Sequence, residues 1–211
     1  MSHGGEGDEL LNRASAGDIS ALAGLFELYR ARLEQMVRLR LDRRLHGRLD
    51  PADVLQEAYL CVSRRFSEYV AKPAIPFYLW LRLLTGQTLV DLHRQHLGAK
   101  MRDAALEISL HQGEVSRASS ASLAELLLGR LTSASRAAIR VETQNRVQEA
   151  LNGMDPIDRE VLVLRHFEDL SNAETACVLG IQEAAASKRY LRALKRLKEI
   201  LSDMTAGPGG V

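Results

Sequence analysis

The stretch Leu151–Leu201, LNGMDPIDREVLVLRHFEDLSNAETACVLGIQEAAASKRYLRALKRLKEIL, carries three helix signals in close succession. Asp155-Pro156 is a helix start, because the carboxylate can accept from free N–H groups and proline fits the first helical position. Ser171 and Glu174 have the spacing of a capping box, which starts a second helix after a short turn. That helix stops at Gly180, where a left-handed turn costs glycine little. A third helix follows, with Lys188, Arg189, Arg192, Lys195, Arg196 and Lys198 against only Glu183 and Glu199. Short helices with a glycine turn before a basic one place a helix end in the major groove. The stretch reads as DNA binding.

Outside it, composition excludes more than it assigns. A chain of 211 residues holds one ordinary domain or two small ones. The net charge of +1 does not by itself point to nucleic acid, but its distribution does. Arginines cluster at Arg30, Arg32, Arg38, Arg40, Arg43, Arg44 and Arg48, and again from Arg82 to Arg102. Cys61 and Cys177 stand alone in apolar helical patterns and are expected as buried, reduced thiols. The start, MSHGGEGDELL, lacks the pattern of a signal peptide, and no run approaches the roughly 18 apolar residues that span a bilayer. A soluble, cytoplasmic protein is expected, without membrane insertion.

Nearly every readable segment has helical period, which predicts an all-α chain. Asp18 caps a helix with Ile19, Leu22, Leu25, Phe26 and Tyr29 at helical spacing. Asp50-Pro51-Ala52-Asp53 repeats the cap-then-proline signal and opens a helix with Val54, Leu55, Ala58 and Cys61 on one side. After a loop around Lys72–Pro76, a helix from Phe77 to about His96 is apolar on two sides. Such a helix sits inside a bundle with a narrow polar strip left over. Residues 104–138 alternate serines with alanines and read as a flexible linker, although Leu123, Leu126, Leu127 and Leu131 would form one helical face. The expected division is a helical domain over 8–103, the linker, a helix-turn-helix domain over 139–203, and a frayed tail over 204–211.

Three stretches in this order resemble the bacterial sigma-70 superfamily, in its small two-domain extracytoplasmic-function branch. DPADVLQEAYL (50–60) is similar to the helix that docks on core RNA polymerase, FYLWLRLLTGQTLVDLHR (77–94) to the helix that opens and reads the promoter −10 element, and 151–201 to the −35 reader. The resemblance implies a non-catalytic specificity subunit with core polymerase and promoter DNA as partners, an anti-sigma factor as a further partner, and no cofactor. Asp53, Gln56 and Glu57 are the polymerase-binding candidates, since they lie three and four residues apart and share a face. For the −10 element the candidates are Arg82, Gln87, Asp91, Arg94, Gln95 and Lys100: cations for phosphate, amide and carboxylate for base edges. The family's base pocket maps to the loop Ser67–Pro76, where Tyr69 is the aromatic expected to stack on an unstacked base. Thr85-Gly86-Gln87 stands where the family commonly has Ala-Arg-Asn.

In the −35 reader, Ile181, Leu191, Leu194, Leu197 and Leu201 are expected to pack. Direct readout falls to Gln182, Glu183, Lys188 and Arg189, with Ala185 and Ser187 in the groove end, and Arg192, Lys195 and Arg196 mainly on phosphate. Two other readings compete. A stand-alone helix-turn-helix regulator would leave Asp53, Gln56 and Glu57 unexplained. A helical enzyme lacks a Ser/His/Asp or Cys/His set, and His93 with His96, one turn apart, lacks a third metal ligand.

Overall fold

Asp50 and Pro51 start the helix around which the first half of the chain is organised. In the computed structural model, Asp50 accepts from the N–H groups of Ala52 (2.6 Å) and Asp53 (3.1 Å), and the Asp53 carboxylate accepts from Asp50 N–H at 3.0 Å. This reciprocal box, with proline in the first turn, satisfies helix-end donors that would otherwise stay unpaired. The structure describes residues 4–45, 47–97, 120–131 and 137–205.

The chain divides into two compact units, Met1–Ser116 and Arg117–Val211. The described residues of the first form α1 (Gly4–Ser15), α2 (Ile19–Arg40), α3 (Pro51–Ala71) and α4 (Phe77–Leu97), with a 3₁₀ turn at Arg43–Leu45. Helices α2, α3 and α4 pack on one another and α1 lies along α2. Helix α1 has no counterpart in the sequence reading: its glycines blur the helical pattern, and its packing on α2 supplies what propensity does not.

Helix α4 runs through the middle of this unit. Its first four turns show how completely it is enclosed: Phe77, Tyr78, Leu79, Trp80, Leu81, Leu84, Thr85, Leu89 and Val90 are all buried. A rim of aromatic rings closes one end, with Tyr69 4.9 Å from Trp80 and 5.3 Å from Phe77 between ring centroids. Such pairs contribute about 0.5–1.5 kcal/mol each beyond the area they bury. The polar strip expected along α4 is left only toward its C-terminal half, at Gln87, Thr88, Asp91, Arg94 and Gln95.

In the second unit, α5 (Ser120–Leu131) packs on α6 (Ala137–Asn152), and α7 (Pro156–His166), α8 (Asn172–Leu179) and α9 (Glu183–Thr205) form the expected three-helix stretch. Within the stretch read as a linker, 104–119 and 132–136 lie outside the described residues. Its described part is helical, with Leu123, Ala124 and Leu127 buried. Helix α9 continues to Thr205, and 206–211 lie outside the described residues.

His93 on α4 ties this helix to the chain after α2. It is buried, and its Nε2 accepts from Asp42 N–H at 3.3 Å. Burial lowers its pKa below the ordinary 6.5, with the Asp42 carboxylate opposing and Arg44 adding to the shift. The Arg44 guanidinium lowers Asp42 from 3.8 to about 2. Near pH 6.5 the unfolded chain therefore takes up a proton that folded His93 declines. Stability present above that pH is lost as the pH falls through it. Asp42 acts lower, its contribution being lost between 3.8 and about 2. Denaturation followed by the fluorescence of Trp80, the chain's one tryptophan, is expected to show a lower midpoint at about pH 5.5 than at about pH 7.5. His93→Gln, which keeps an acceptor but does not titrate, is expected to shrink that difference.

Candidate nucleic-acid interface

The turn between α8 and α9 fixes how the basic helix is presented. Glu174 N–H donates to Ser171 Oγ at 3.1 Å and Ser171 N–H to Glu174 Oε2 at 2.7 Å, so the predicted capping box is formed. Gly180 ends α8 in the left-handed region at φ 62°, ψ 32°. An L side chain there is strained even though nothing stands within 4 Å of its Cβ position. Ile181 N–H then donates to Ala176 O at 3.1 Å, and Asn172 Nδ2 donates to Glu183 O at 3.0 Å. The second contact latches the start of α8 to the start of α9.

Helix α9 buries Ala186, Ala193, Leu197 and Ile200. Leu191 does not belong to that face. It is 66% exposed, because two residues before Ala193 is more than half a turn round the helix. Gln182, Glu183, Ser187 and Lys188 are exposed at the N-terminal end, with Ala185 half-buried. Lys195 is exposed further along, and neither Lys188 nor Lys195 has an ion-pair partner among the described residues. Arg196 pairs with Glu199 at 3.1 Å.

Arg189 and Arg192 are placed differently from the expectation. Both reach back to Asp158 in the first turn of α7: Arg189 Nη1 donates to Oδ1 at 2.6 Å and Arg192 Nη1 to Oδ2 at 3.2 Å. Arg189 also lies 3.4 Å from Asp155, the cap of α7. For Asp155, burial works to raise the pKa, but backbone N–H groups of Asp158 and Ile157 and the two arginines outweigh it and lower the value. Arg189 is thus half-buried and held, rather than projecting as a free reader. Arg192 is held at one nitrogen with the side chain 64% exposed. Asp158 carried no signal in the sequence beyond first-turn acidity; its two partners lie 31 and 34 residues away.

In the first unit, Asp53, Gln56 and Glu57 are exposed on α3 opposite buried Val54, Leu55 and Ala58, so the predicted face exists. Asp53 has a second occupation in the capping box. Leu60, seven residues after Asp53 and 41% exposed, joins the same face and was missed as a candidate. Its phase with Asp53 was the available signal.

The α4 candidates separate. Asp91, Arg94 and Gln95 are exposed, with Arg94 Nη1 3.8 Å from Asp91 Oδ1. Gln87 is half-buried and its Oε1 accepts from Arg65 Nη1 at 3.3 Å. Arg82 is 2% exposed, because its position falls among the residues that α4 buries. Lys100 lies outside the described residues. Tyr69 is no free stacking platform: it is buried in the aromatic rim and its hydroxyl donates to Ile75 O at 3.2 Å. The loop is shorter than Ser67–Pro76, since α3 continues to Ala71 with Lys72 N–H closing its last turn.

Two further expectations change. Cys177 is exposed and Cys61 half-buried, so neither thiol is a core group. His93 is buried and His96 exposed, so the two do not converge. No helix among the described residues is long and apolar enough to cross a membrane.

Comparison with known proteins bears on this arrangement. The model of sigma-70 region 4 matches residues 144–197. The chain is 27% identical over 195 residues to the ECF RNA polymerase sigma factor BldN of Streptomyces coelicolor, covering 92% of this chain and 66% of that protein. It is 28% identical over 195 residues to the ECF RNA polymerase sigma factor SigD of Mycobacterium tuberculosis, covering 91% of this chain and 82% of that protein. The fold is similar to that of CnrH, solved with the cytosolic domain of CnrY, at TM-score 0.54 and 22% identity over 92% of this chain and 96% of that one. Residues 144–197 thus carry the sigma-70 region 4 match, and along most of its length the chain is similar to RNA polymerase sigma factors of the extracytoplasmic-function branch.

Proposed function

We propose that the chain is a sigma factor that acts in the cytoplasm as a non-catalytic subunit, docking on core RNA polymerase through the first unit and reading the −35 element with α9. The observation that carries the proposal is the exposed helix end Gln182–Lys188, held beyond the Gly180 turn with a buried face behind it. Gln182, Glu183, Ala185, Ser187 and Lys188 stand at base edges, while Arg192, Lys195 and Arg196 stand at phosphate; Arg189 works through the orientation of its helix. Asp91, Arg94 and Gln95 serve the −10 element, with Gln87 behind them. Asp53, Gln56, Glu57 and Leu60 form the polymerase face, a polar rim around one apolar contact. An anti-sigma factor is a further partner in this reading.

The near-neutral charge gives free protein little sequence-independent hold on DNA. Each unit docked on polymerase raises the effective concentration of the other's DNA contact. A gel-shift series with full-length chain is expected to give tight, specific promoter binding only when core polymerase is present. Tight, specific binding by the free chain would instead favour a stand-alone regulator.

Gln56→Ala with Glu57→Ala is expected to weaken co-purification with core polymerase by a few kcal/mol in affinity, with the melting temperature unchanged. Asp53→Ala is expected to add a folding cost of about 0.5–2 kcal/mol, because it removes half of a capping box. Retention of polymerase by the double variant at the wild-type level would reject this face.

Lys188→Ala and Lys195→Ala separate reading from positioning. Lys195→Ala is expected to weaken all upstream elements alike and to lower the salt slope by about one, whereas Lys188→Ala costs about 1–3 kcal/mol with an altered preference at one base pair. Run-off transcription over a set of upstream elements measures both.

A further inference from the structure

The clasp between α7 and α9 is more than a joint between helices. Asp158 is buried, with 5% of its side chain exposed, and each of its oxygens takes a different guanidinium. Arg189 and Arg192 are three residues apart, so both lie on one side of α9 and converge on this single acid. Asp155 beside them brings the group of four to charge balance: two carboxylates against two guanidiniums. Burying ion pairs is a poor way to join two helices, since desolvation offsets much of the attraction. Helices α7 and α9 already pack on one another, and both carry inaccessible apolar side chains, Val161, Leu162 and Leu164 on the first and Ala186 and Ala193 on the second. What the clasp adds is orientation.

Orientation matters most at Arg192. One Nη is committed to Asp158, while 64% of the side chain remains exposed. A guanidinium has five N–H donors in a rigid plane, so fixing one nitrogen aims the others. A free arginine on a helix surface has to give up rotamer freedom when it meets phosphate; one already held loses less.

We infer that Asp158 is a positioning residue for promoter recognition: it holds the Arg192 guanidinium toward a DNA phosphate and, through Arg189, sets the rotation of α9 about its axis. This rests on the reading that α9 faces DNA. Asp158 itself touches no DNA in this arrangement.

The test uses full-length chain on core RNA polymerase and a duplex fragment enriched from a randomised library by the wild-type complex. Binding is measured between about 50 and 200 mM salt. Asp158→Asn is expected to weaken binding roughly tenfold and to lower the salt slope by about one, as Arg192→Ala does. The double variant is expected to bind no worse than Arg192→Ala alone, because both remove the same oriented contact. Unchanged affinity and slope in a folded Asp158→Asn protein overturn the inference, as does a double variant whose losses add. Should Asp158→Asn not fold, Arg192→Lys decides. It keeps the charge but lacks the fork that spans carboxylate and phosphate, so wild-type binding by that variant also overturns the inference. Lys188→Ala and Lys195→Ala on the same fragment distinguish the two levels. If neither changes binding, the reading of α9 as the DNA helix falls; if they do and Asp158→Asn does not, only the role of Asp158 falls.

Discussion

Each helix has one circumference to divide between packing and recognition, and in units this small packing takes most of it. Helix α4 is the extreme case. From Phe77 to Val90 nearly every position is buried, and the exposed positions described on this helix gather at its far end, at Asp91, Arg94, Gln95 and His96. Arg82 and Tyr69 have side chains suited to nucleic acid, but the bundle has already used them. Helix α3 divides more evenly, with Val54, Leu55 and Ala58 inward and Asp53, Gln56, Glu57 and Leu60 outward. Among the described residues α3 packs mainly on α2 and α4, and this outward face is left exposed.

The same rule applies to charge on α9. Of its six basic side chains, Arg189, Arg192 and Arg196 have carboxylates at 2.6, 3.2 and 3.1 Å. Lys188, Lys195 and Lys198 are exposed without such a partner among the described residues. The helix therefore presents its arginines as oriented groups and its lysines as mobile point charges. Exposed Leu191 lies between Lys188 and Lys195 on the outer strip, where a packing residue would be wasted. A basic run in a sequence gives only the sum of these charges, not which of them are already balanced.

What the sequence made legible is the local chemistry. The caps at Asp18, Asp50, Asp155 and Ser171 and the left-handed stop at Gly180 are governed by residues within a few positions of one another. The exposed triad on α3 was legible for the same reason, since phase along one helix needs no knowledge of the partner. What escaped depends on partners far away in sequence. Asp158 meets Arg189 across 31 residues, His93 meets Asp42 across 51, and Gln87 meets Arg65 across 22. Leucine and a lone cysteine in an apolar pattern usually pack, yet Leu191 and Cys177 each sit on the outer side of their helix. Helix α1 escaped because its glycines weaken the local signal while its stability comes from α2.

Under the proposed function, these placements bear on how two weak readers make one specific protein. With its arginines on α9 paired and a net charge of +1, the chain has three cations on that helix without a carboxylate partner among the described residues, Lys188, Lys195 and Lys198. Each phosphate neutralised contributes a salt-dependent increment, and a handful of them does not hold a protein on DNA at physiological salt. Weak intrinsic attraction also keeps the chain from being sequestered by non-promoter DNA, where a strongly basic protein would spend most of its time. In that proposal specificity rests on geometry supplied from outside: a partner that holds both units on one template converts two poor contacts into one good one. An orienting acid such as Asp158 suits that regime, because it improves the directed contact without adding charge that would strengthen the undirected ones.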